Sequence, residues 1–361
     1  MSNTDLAMQP VTPNTDPGPE YHSSTRLFQG IPGIERDPAS GRLWATWYCN
    51  SREAEEGPDN YVVLVTSDDD GATWSDSPVL VVDPPGRVRA FDEVIWIDPL
   101  GRLWLFWAQS YDKFDGRVGV WCITTDEPGS SNPTWTAPRR IANGIMMNKP
   151  TVLSDGEWLL PTAVWVVKEP HRKDVAAERF SNVLVSTDQG ETFSIRGGAD
   201  VPNRGFDEHM VVERRDGSLW MLVRCKPGIG ESVSTDGGRT WSPGKQTEMP
   251  GPDSRFFIRK LRSGNILLVS HDNYEKRNML TAWLSDDDGM TWNGGLLLDE
   301  RMAVSYPDGI EDESGLIRVV YDRERKGDRE ILYAQFREAD VLAKDIVSDD
   351  AELRRLINRA G

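Results

Sequence analysis

The chain has 361 residues, with 58 Asp and Glu against 41 Lys and Arg and a formal net charge of -17. Such a surface repels nucleic-acid backbones and anionic membranes, so neither is expected as a partner, while a small anionic ligand in a locally basic pocket stays open. No apolar run approaches the about 20 residues of a membrane-spanning helix, and Cys49, Cys122 and Cys225, each in a strand-like apolar run, read as buried free thiols.

In chain order, Met1 to Ser24 is rich in Pro, Thr, Asn and Asp and lacks the basic-then-apolar order of a signal peptide. It reads as a disordered leader, and a cytoplasmic location is the expectation. From residue 25 to 336 two periodic signals run together. In the first, a Gly-containing turn leads six times into an apolar, aromatic-rich strand: Gly41 into Leu43, Gly101 into Leu103, Gly156 into Trp158, Gly217 into Leu219, Gly264 into Ile266 and Gly315 into Leu316. Their return roughly every fifty to sixty residues suits four-stranded blades.

The second signal is a Ser-x-Asp-x-Gly-x-Thr-aromatic motif at Ser67–Trp74, Ser186–Phe193, Ser234–Trp241 and Ser285–Trp292, with a degenerate copy at Thr124–Asp126 and Thr134–Trp135. An Asp carboxylate can accept turn N–H groups, Gly permits a positive φ, and the aromatic packs under a neighbouring strand, so the motif reads as a structural staple. Repeats of this size must stack to bury their apolar faces. The prediction is all-β: one six-bladed β-propeller over 25–336, whose last blade, Met302 to Phe336, closes the ring with the strand near Thr25–Pro32. Residues 337–361 carry Leu342, Ile346, Leu353 and Leu356 at helical spacing and read as a helical tail.

This repeat is the Asp box, and over residues 25 to 336 the chain resembles the sialidase (neuraminidase) superfamily of six-bladed propellers. The resemblance implies an exo-glycoside hydrolase that needs no cofactor. It uses a Tyr nucleophile activated by a Glu, an acidic residue as acid/base, and three arginines on the substrate carboxylate. A neutral phenol approaches an anomeric carbon bearing a carboxylate with less repulsion than a carboxylate would. A nearby Glu must then take the proton, since free Tyr titrates near pKa ~10.

Carried over, Tyr306 in Val304-Ser305-Tyr306-Pro307 stands at the nucleophile, Glu208 at the activating Glu, and Arg224 and Arg277 at two clamp arginines. The general acid falls in the loop 50–60, where counting back twelve residues from Ser67 selects Glu55, with Glu56 and Asp59 beside it. The first clamp arginine is absent: Gly30-Ile31-Pro32 stands where the family carries Arg-Ile-Pro. Arg26, Arg36, Lys149 and Arg255 are the basic groups considered for that space. Asp92, Asn148, Lys149, His209 and Arg255 complete the expected substrate-binding set.

The expected partner is a carbohydrate with an acidic terminus, either a sialic acid or a related ulosonic or uronic acid. Two alternatives accompany this reading. One is a lyase or hydrolase on uronic-acid or rhamnose glycans, the lyase using His209 or His271 with Tyr306. The other is a sugar-binding propeller without catalysis.

Overall fold

The structure, a computed structural model, describes residues 5–165 and 173–361, so the first four residues of the expected leader lie outside it. Six antiparallel four-stranded sheets follow one another along the chain, each in simple up-and-down order. The first blade is Phe28–Arg36, Leu43–Asn50, Tyr61–Ser67 and Leu80–Val82 (β1–β4); the second is Val88–Ile97, Leu103–Tyr111, Gly119–Thr125 and Arg139–Asn143 (β5–β8). The third is Thr151–Val152, Trp158–Ala163, Ser181–Ser186 and Ser194–Ala199 (β9–β12); the fourth is Met210–Glu213, Leu219–Arg224, Ile229–Ser234 and Lys245–Gln246 (β13–β16). The fifth is Phe257–Lys260, Ile266–His271, Leu280–Ser285 and Asn293–Asp299 (β17–β20); the sixth is Val304–Glu311, Ile317–Arg323, Glu330–Phe336 and Glu352–Arg359 (β21–β24).

All six predicted Gly-turn strands are the second strands of blades, and the glycines of those turns all take positive φ, from 77° at Gly315 to 91° at Gly156. These strands are covered on both faces by neighbouring blades, which is why they read as unbroken apolar runs with buried Trp44, Trp47, Trp104, Trp107 and Trp220. The three cysteines are free and buried.

The Asp boxes occupy the turns after the third strands. In the first copy Thr73 Oγ1 donates to Asp69 Oδ2 at 2.6 Å, Thr73 N to Asp69 Oδ1 at 2.8 Å, and Gly71 N to Ser67 Oγ at 2.9 Å. The copies around Asp188, Asp236 and Asp287 repeat the set. The Thr hydroxyl and then the Thr amide hold all four carboxyls well below the usual carboxylate range. Each box glycine packs against the preceding blade: a Cβ would lie 2.3 Å from Trp220 at Gly289, 2.7 Å from Trp104 at Gly190 and 2.3 Å from Tyr333 Oη at Gly71. The last contact joins the first blade to the sixth.

Three expectations change. The segment around Thr25–Pro32 is not a closing strand of the last blade. It runs into β1, which pairs with β2 of its own blade, while β24 completes the sixth blade from the C-terminal side. The ring therefore closes without a shared sheet, mainly through side chains, with Gln29 Nε2 donating to Arg329 O at 2.7 Å and Ile31 N to Asp322 Oδ2 at 2.8 Å, beside one backbone bond from Gln29 N to Arg325 O at 3.4 Å. The tail carries the one α-helix among the described residues, Glu338–Ala343, but Leu353 and Leu356 lie on β24. The open edge of β23 offers a row of backbone partners, and pairing with it overrides the short helical period. The leader supplies no blade strand, yet from Asp5 it is laid along the ring. There Gln109 Nε2 donates to Gln9 O at 2.8 Å and Asn14 bridges Val81.

Candidate active site

In every blade the first strand starts, the second ends and the third starts at one end of the ring, opposite the Asp boxes. At that end the inner strands are deformed. β1, β5 and β21 each carry a bulge, between Gly30 and Gly33, Phe91 and Val94, and Ser305 and Asp308. Within them Ile31, Asp92 and Tyr306 take φ of 63°, 47° and 56°, and Asp207 and Glu208, just before β13, take 30° and 42°. Such backbone costs on the order of 1–3 kcal/mol per residue, and a bulge re-aims a side chain out of the strand's alternation. Here it turns Ile31, Asp92, Glu208 and Tyr306 into a cleft of about 290 Å³.

Buried polar bonds hold the bulges. Arg255, only 1% exposed, donates to Tyr306 O at 2.9 Å, Pro32 O at 3.0 Å and Met147 O at 2.8 Å. Asp322 accepts Ser305 Oγ at 2.6 Å as well as Ile31 N.

Tyr306 and Glu208 meet on the floor of the cleft. The Tyr306 hydroxyl donates to Glu208 Oε1 at 3.1 Å, and Arg224 Nη1 lies 3.1 Å from the same hydroxyl and 2.5 Å from Glu208 Oε1. Glu208 Oε2 is buried with no hydrogen-bond partner among the described residues. Burial and then the Glu208 charge push the Tyr306 phenol above its ordinary value, while Arg224, Arg277 and Arg325 pull it down. Burial alone would lower Arg224, but Glu208, Tyr306 and Asp253 outweigh it and hold the guanidinium charged. Arg224 Nε is 2.8 Å from Asp253 Oδ1, and Arg277 Nη2 donates to Asp253 O at 2.9 Å. The Arg277 and Arg325 guanidinium carbons lie 5.2 Å and 4.8 Å from the Tyr306 ring centre.

The opposite wall is acidic at its base and aromatic at its rim. Burial pushes Asp92 up to about 8, with Arg89 opposing and Glu56 and Glu208 adding to the shift. Tyr48 faces the same space, its hydroxyl buried without a partner among the described residues. Phe114, Trp165 and Phe206 form an edge-to-face run, with centroids 5.7 Å and 5.0 Å apart, and Arg224 lies over Phe206.

Of the residues expected from sequence, Tyr306, Glu208, Arg224, Arg277 and Asp92 come together in the cleft. Glu55 does not: it points outward, 56% exposed, with its carboxylate 3.9 Å from Lys326 Nζ. Asn50 Nδ2 donates to Glu55 O and fixes the loop one residue out of step, so that Glu56 faces the cleft. Asn148 is spent on His209 O, and His209 Nε2 sits 2.7 Å from Asn182 O. Lys149 is tied to Ile34 O, Glu35 and Asp308 between the inner strands, and Arg255 acts behind the bulges. These four are buried structural groups and do not line the cleft, because each donates to backbone or carboxylate partners on another blade. His271, 2.9 Å from Val304 O, is likewise outside it, so neither histidine of the lyase alternative reaches Tyr306.

Sequence reasoning missed Arg325, Arg89, Tyr48 and the aromatic rim. Arg325 stands in the turn between β22 and β23, within a charged run, Arg323-Glu324-Arg325-Lys326, that looks like any solvated hairpin. The only hint was the missing side chain at position 30. Arg26 and Arg36 are engaged elsewhere, with Tyr21 O and Glu313 respectively.

Residues 41–319 match the model of the BNR repeat-like domain, more than half of the chain, and the protein belongs to that family. Comparison with curated protein sequences returns no match. Among solved structures the chain is similar to a Hadza microbial sialidase, at 20% identity and a TM-score of 0.66 over 83% of this chain and 65% of that one. It is also similar to the leech intramolecular trans-sialidase, at 13% and 0.70 over 90% and 70%, and to the intramolecular trans-sialidase of Ruminococcus gnavus, at 14% and 0.66 over 90% and 97%. The chain thus spans slightly less than two thirds of the first of these. At such identities the likeness is one of fold: a sialidase-type six-bladed propeller.

Proposed function

We propose that the protein is a retaining exo-glycosidase that releases a terminal acidic sugar. One observation carries this reading: a buried tyrosine hydroxyl donates to a carboxylate at 3.1 Å while guanidinium groups surround its ring. A nucleophile within hydrogen-bond reach of a base, with the base oriented by a third group, is the arrangement that covalent catalysis requires.

In the proposed reaction Tyr306 Oη forms a bond to the anomeric carbon as the glycosidic C–O bond breaks. Glu208 takes the phenolic proton, and its unpartnered Oε2 leaves it the capacity to do so. The leaving oxygen takes a proton from the carboxyl pair Glu56 and Asp92, of which Asp92, pushed up to about 8, holds one at neutral pH. Water then attacks the anomeric carbon of the tyrosyl-glycosyl intermediate and gives a proton back to the Glu56 and Asp92 pair, while the bond to Tyr306 Oη breaks and Glu208 returns the proton it took to the phenol. Arg224 and Arg277 offset the negative charge of the sugar. The aromatic rim of Phe114, Trp165 and Phe206 offers apolar faces to the ring or its substituents.

The test is hydrolysis of fluorogenic glycosides of sialic acid, its deaminated analogue, glucuronic acid and rhamnose by wild type and Tyr306→Phe. Turnover of an acidic glycoside that collapses in the variant supports the reading. Turnover of rhamnoside alone, or an unsaturated product absorbing in the near ultraviolet, overturns it, and tight binding without turnover makes the protein a sugar-binding module.

A further inference from the structure

Position 30 has no side chain, and Arg325 fills the volume that one would take. A Cβ on Gly30 would lie 2.2 Å from Arg325 Cδ, 2.5 Å from its Cγ and 2.9 Å from Asp322 Oδ2. The stem of Arg325 therefore crosses directly over the backbone of β1, an approach that only glycine allows. Its head is aimed into the cleft: Nη1 is 3.1 Å from Glu56 Oε1, Nε is 3.5 Å from Asp322 Oδ2, and the guanidinium lies beside the Tyr306 ring. Asp322 is itself fully buried and fixed by Ser305 and Ile31. The arm is thus built on a rigid base that also shapes the bulges bearing Ile31 and Tyr306.

Of the guanidiniums around Tyr306, Arg255 lies 5.4 Å from the ring but is spent on backbone carbonyls behind the bulges, and the three that line the cleft beside it come from three blades: Arg224 from β14, Arg277 from the turn before β19 and Arg325 from the turn after β22. Arg224 is matched by Glu208 and Asp253, whereas among the described residues Arg277 donates to a carbonyl, Asp253 O, and makes no ion pair. Arg325 shares Asp322 with two other donors and meets Glu56 by a single bond. Cationic capacity is left over on the side of the tyrosine where Arg277 and Arg325 stand.

We propose that Arg325 is a specificity-determining residue: the last blade supplies, across Gly30, the arm that with Arg277 takes a carboxylate on the sugar ring. This rests on the acidic-sugar reading of the same cleft. Glu56 holds the arm in the empty site, and a substrate carboxylate competes with it for Nη1, so that binding of the anion frees Glu56 from its ion pair beside Asp92.

The experiment measures, by calorimetry, binding of free sialic acid and glucuronic acid and of their methyl esters to wild type, Arg325→Gln, Arg325→Ala, Gly30→Arg and Gly30→Arg/Arg325→Ala, with thermal unfolding as a check on folding. Wild type should prefer the better-bound acid to its ester. Either substitution at 325 should remove roughly 10- to 100-fold of that preference, the worth of a charge-assisted hydrogen bond, with ester binding unchanged. Gly30→Arg alone should be strongly destabilised or unable to bind, and the double variant should regain both folding and acid preference, because the new side chain enters the volume vacated at 325. If wild type prefers acid but the Arg325 variants keep that preference, the proposal is wrong while the acidic-sugar reading stands. If wild type does not discriminate acid from ester, that reading falls and the proposal with it. Arg325→Gln, which keeps most of the stem, decides the matter should the alanine variant fail to fold.

Discussion

The two ends of the ring use the same supersecondary repeat in opposite ways. At the box end, four turns repeat one set of hydrogen bonds around Asp69, Asp188, Asp236 and Asp287. At the cleft end, the corresponding positions of the six inner strands carry Ile31, Asp92, Met147, Glu208, Arg255 and Tyr306, no two alike. Repetition therefore marks what every blade needs in order to stack, and divergence marks what only one place needs. A repeated carboxylate such as Asp287, half-buried and accepting on both oxygens from the Ser285 hydroxyl and the Thr291 hydroxyl and amide, does not keep an oxygen unpartnered for chemistry. Glu208, buried with one oxygen unpartnered, does.

The sharpest way to break this contrast is to substitute one residue at each end. Tyr306→Phe and Glu208→Gln should each lower kcat on an acidic glycoside by about 10³-fold or more while leaving the unfolding midpoint close to wild type, since removing members of a nucleophile-base unit costs most of its effect at once. Gly289→Ala should do the reverse. Its added methyl would meet Trp220 at 2.3 Å in a backbone held at φ 87°, a strain of about 1–3 kcal/mol in urea titration, with kcat per folded molecule unchanged. A box variant that loses activity without losing stability would dissolve the division between the two ends.

The same contrast explains what could be read before the structure. The Gly turns and boxes are local signals, each complete within about eight residues, and all six second strands and four boxes stand where their spacing places them. Tyr306, Glu208, Arg224 and Arg277 were legible because they keep their order along the chain. Arg325 was not, since its role depends on a glycine almost 300 residues away, and distance in sequence hides such a complement. Glu55 and Glu56 illustrate a finer limit. In an irregular loop there is no period to say which neighbour faces inward, and a bond from Asn50 decides it. Leu353 and Leu356 were misread for a related reason, because the edge they pair with is supplied by β23 and not by their own segment.

A smaller effect sharpens the cleft side alone. Because Asp92 keeps its proton to about 8, kcat/KM should fall as pH rises through that value, and Asp92→Asn should lower the plateau roughly 10²-fold and abolish the alkaline limb. A limb that persists unchanged in the variant would assign it elsewhere, and Asp92 would be left as a group that only shapes the cleft.

The smallest effect concerns Glu93, which follows Asp92 but points the other way, into the core. Neither of its carboxyl oxygens has a partner on another residue among those described, and burial holds it protonated well above the usual carboxylate range, with Asp92 adding and Arg255 opposing. A carboxyl whose pKa is higher folded than unfolded stabilises the fold fully below its unfolded pKa, and that contribution is lost as pH rises toward the folded value. Glu93→Gln removes the charge that must otherwise be avoided. Its urea midpoint relative to wild type should therefore be higher at pH 9 than at pH 5, with activity at pH 6 little changed. An equal difference at both pH values would mean that the carboxyl finds a partner when ionised. The two adjacent acids would then no longer divide into one that serves the cleft and one that only burdens the core.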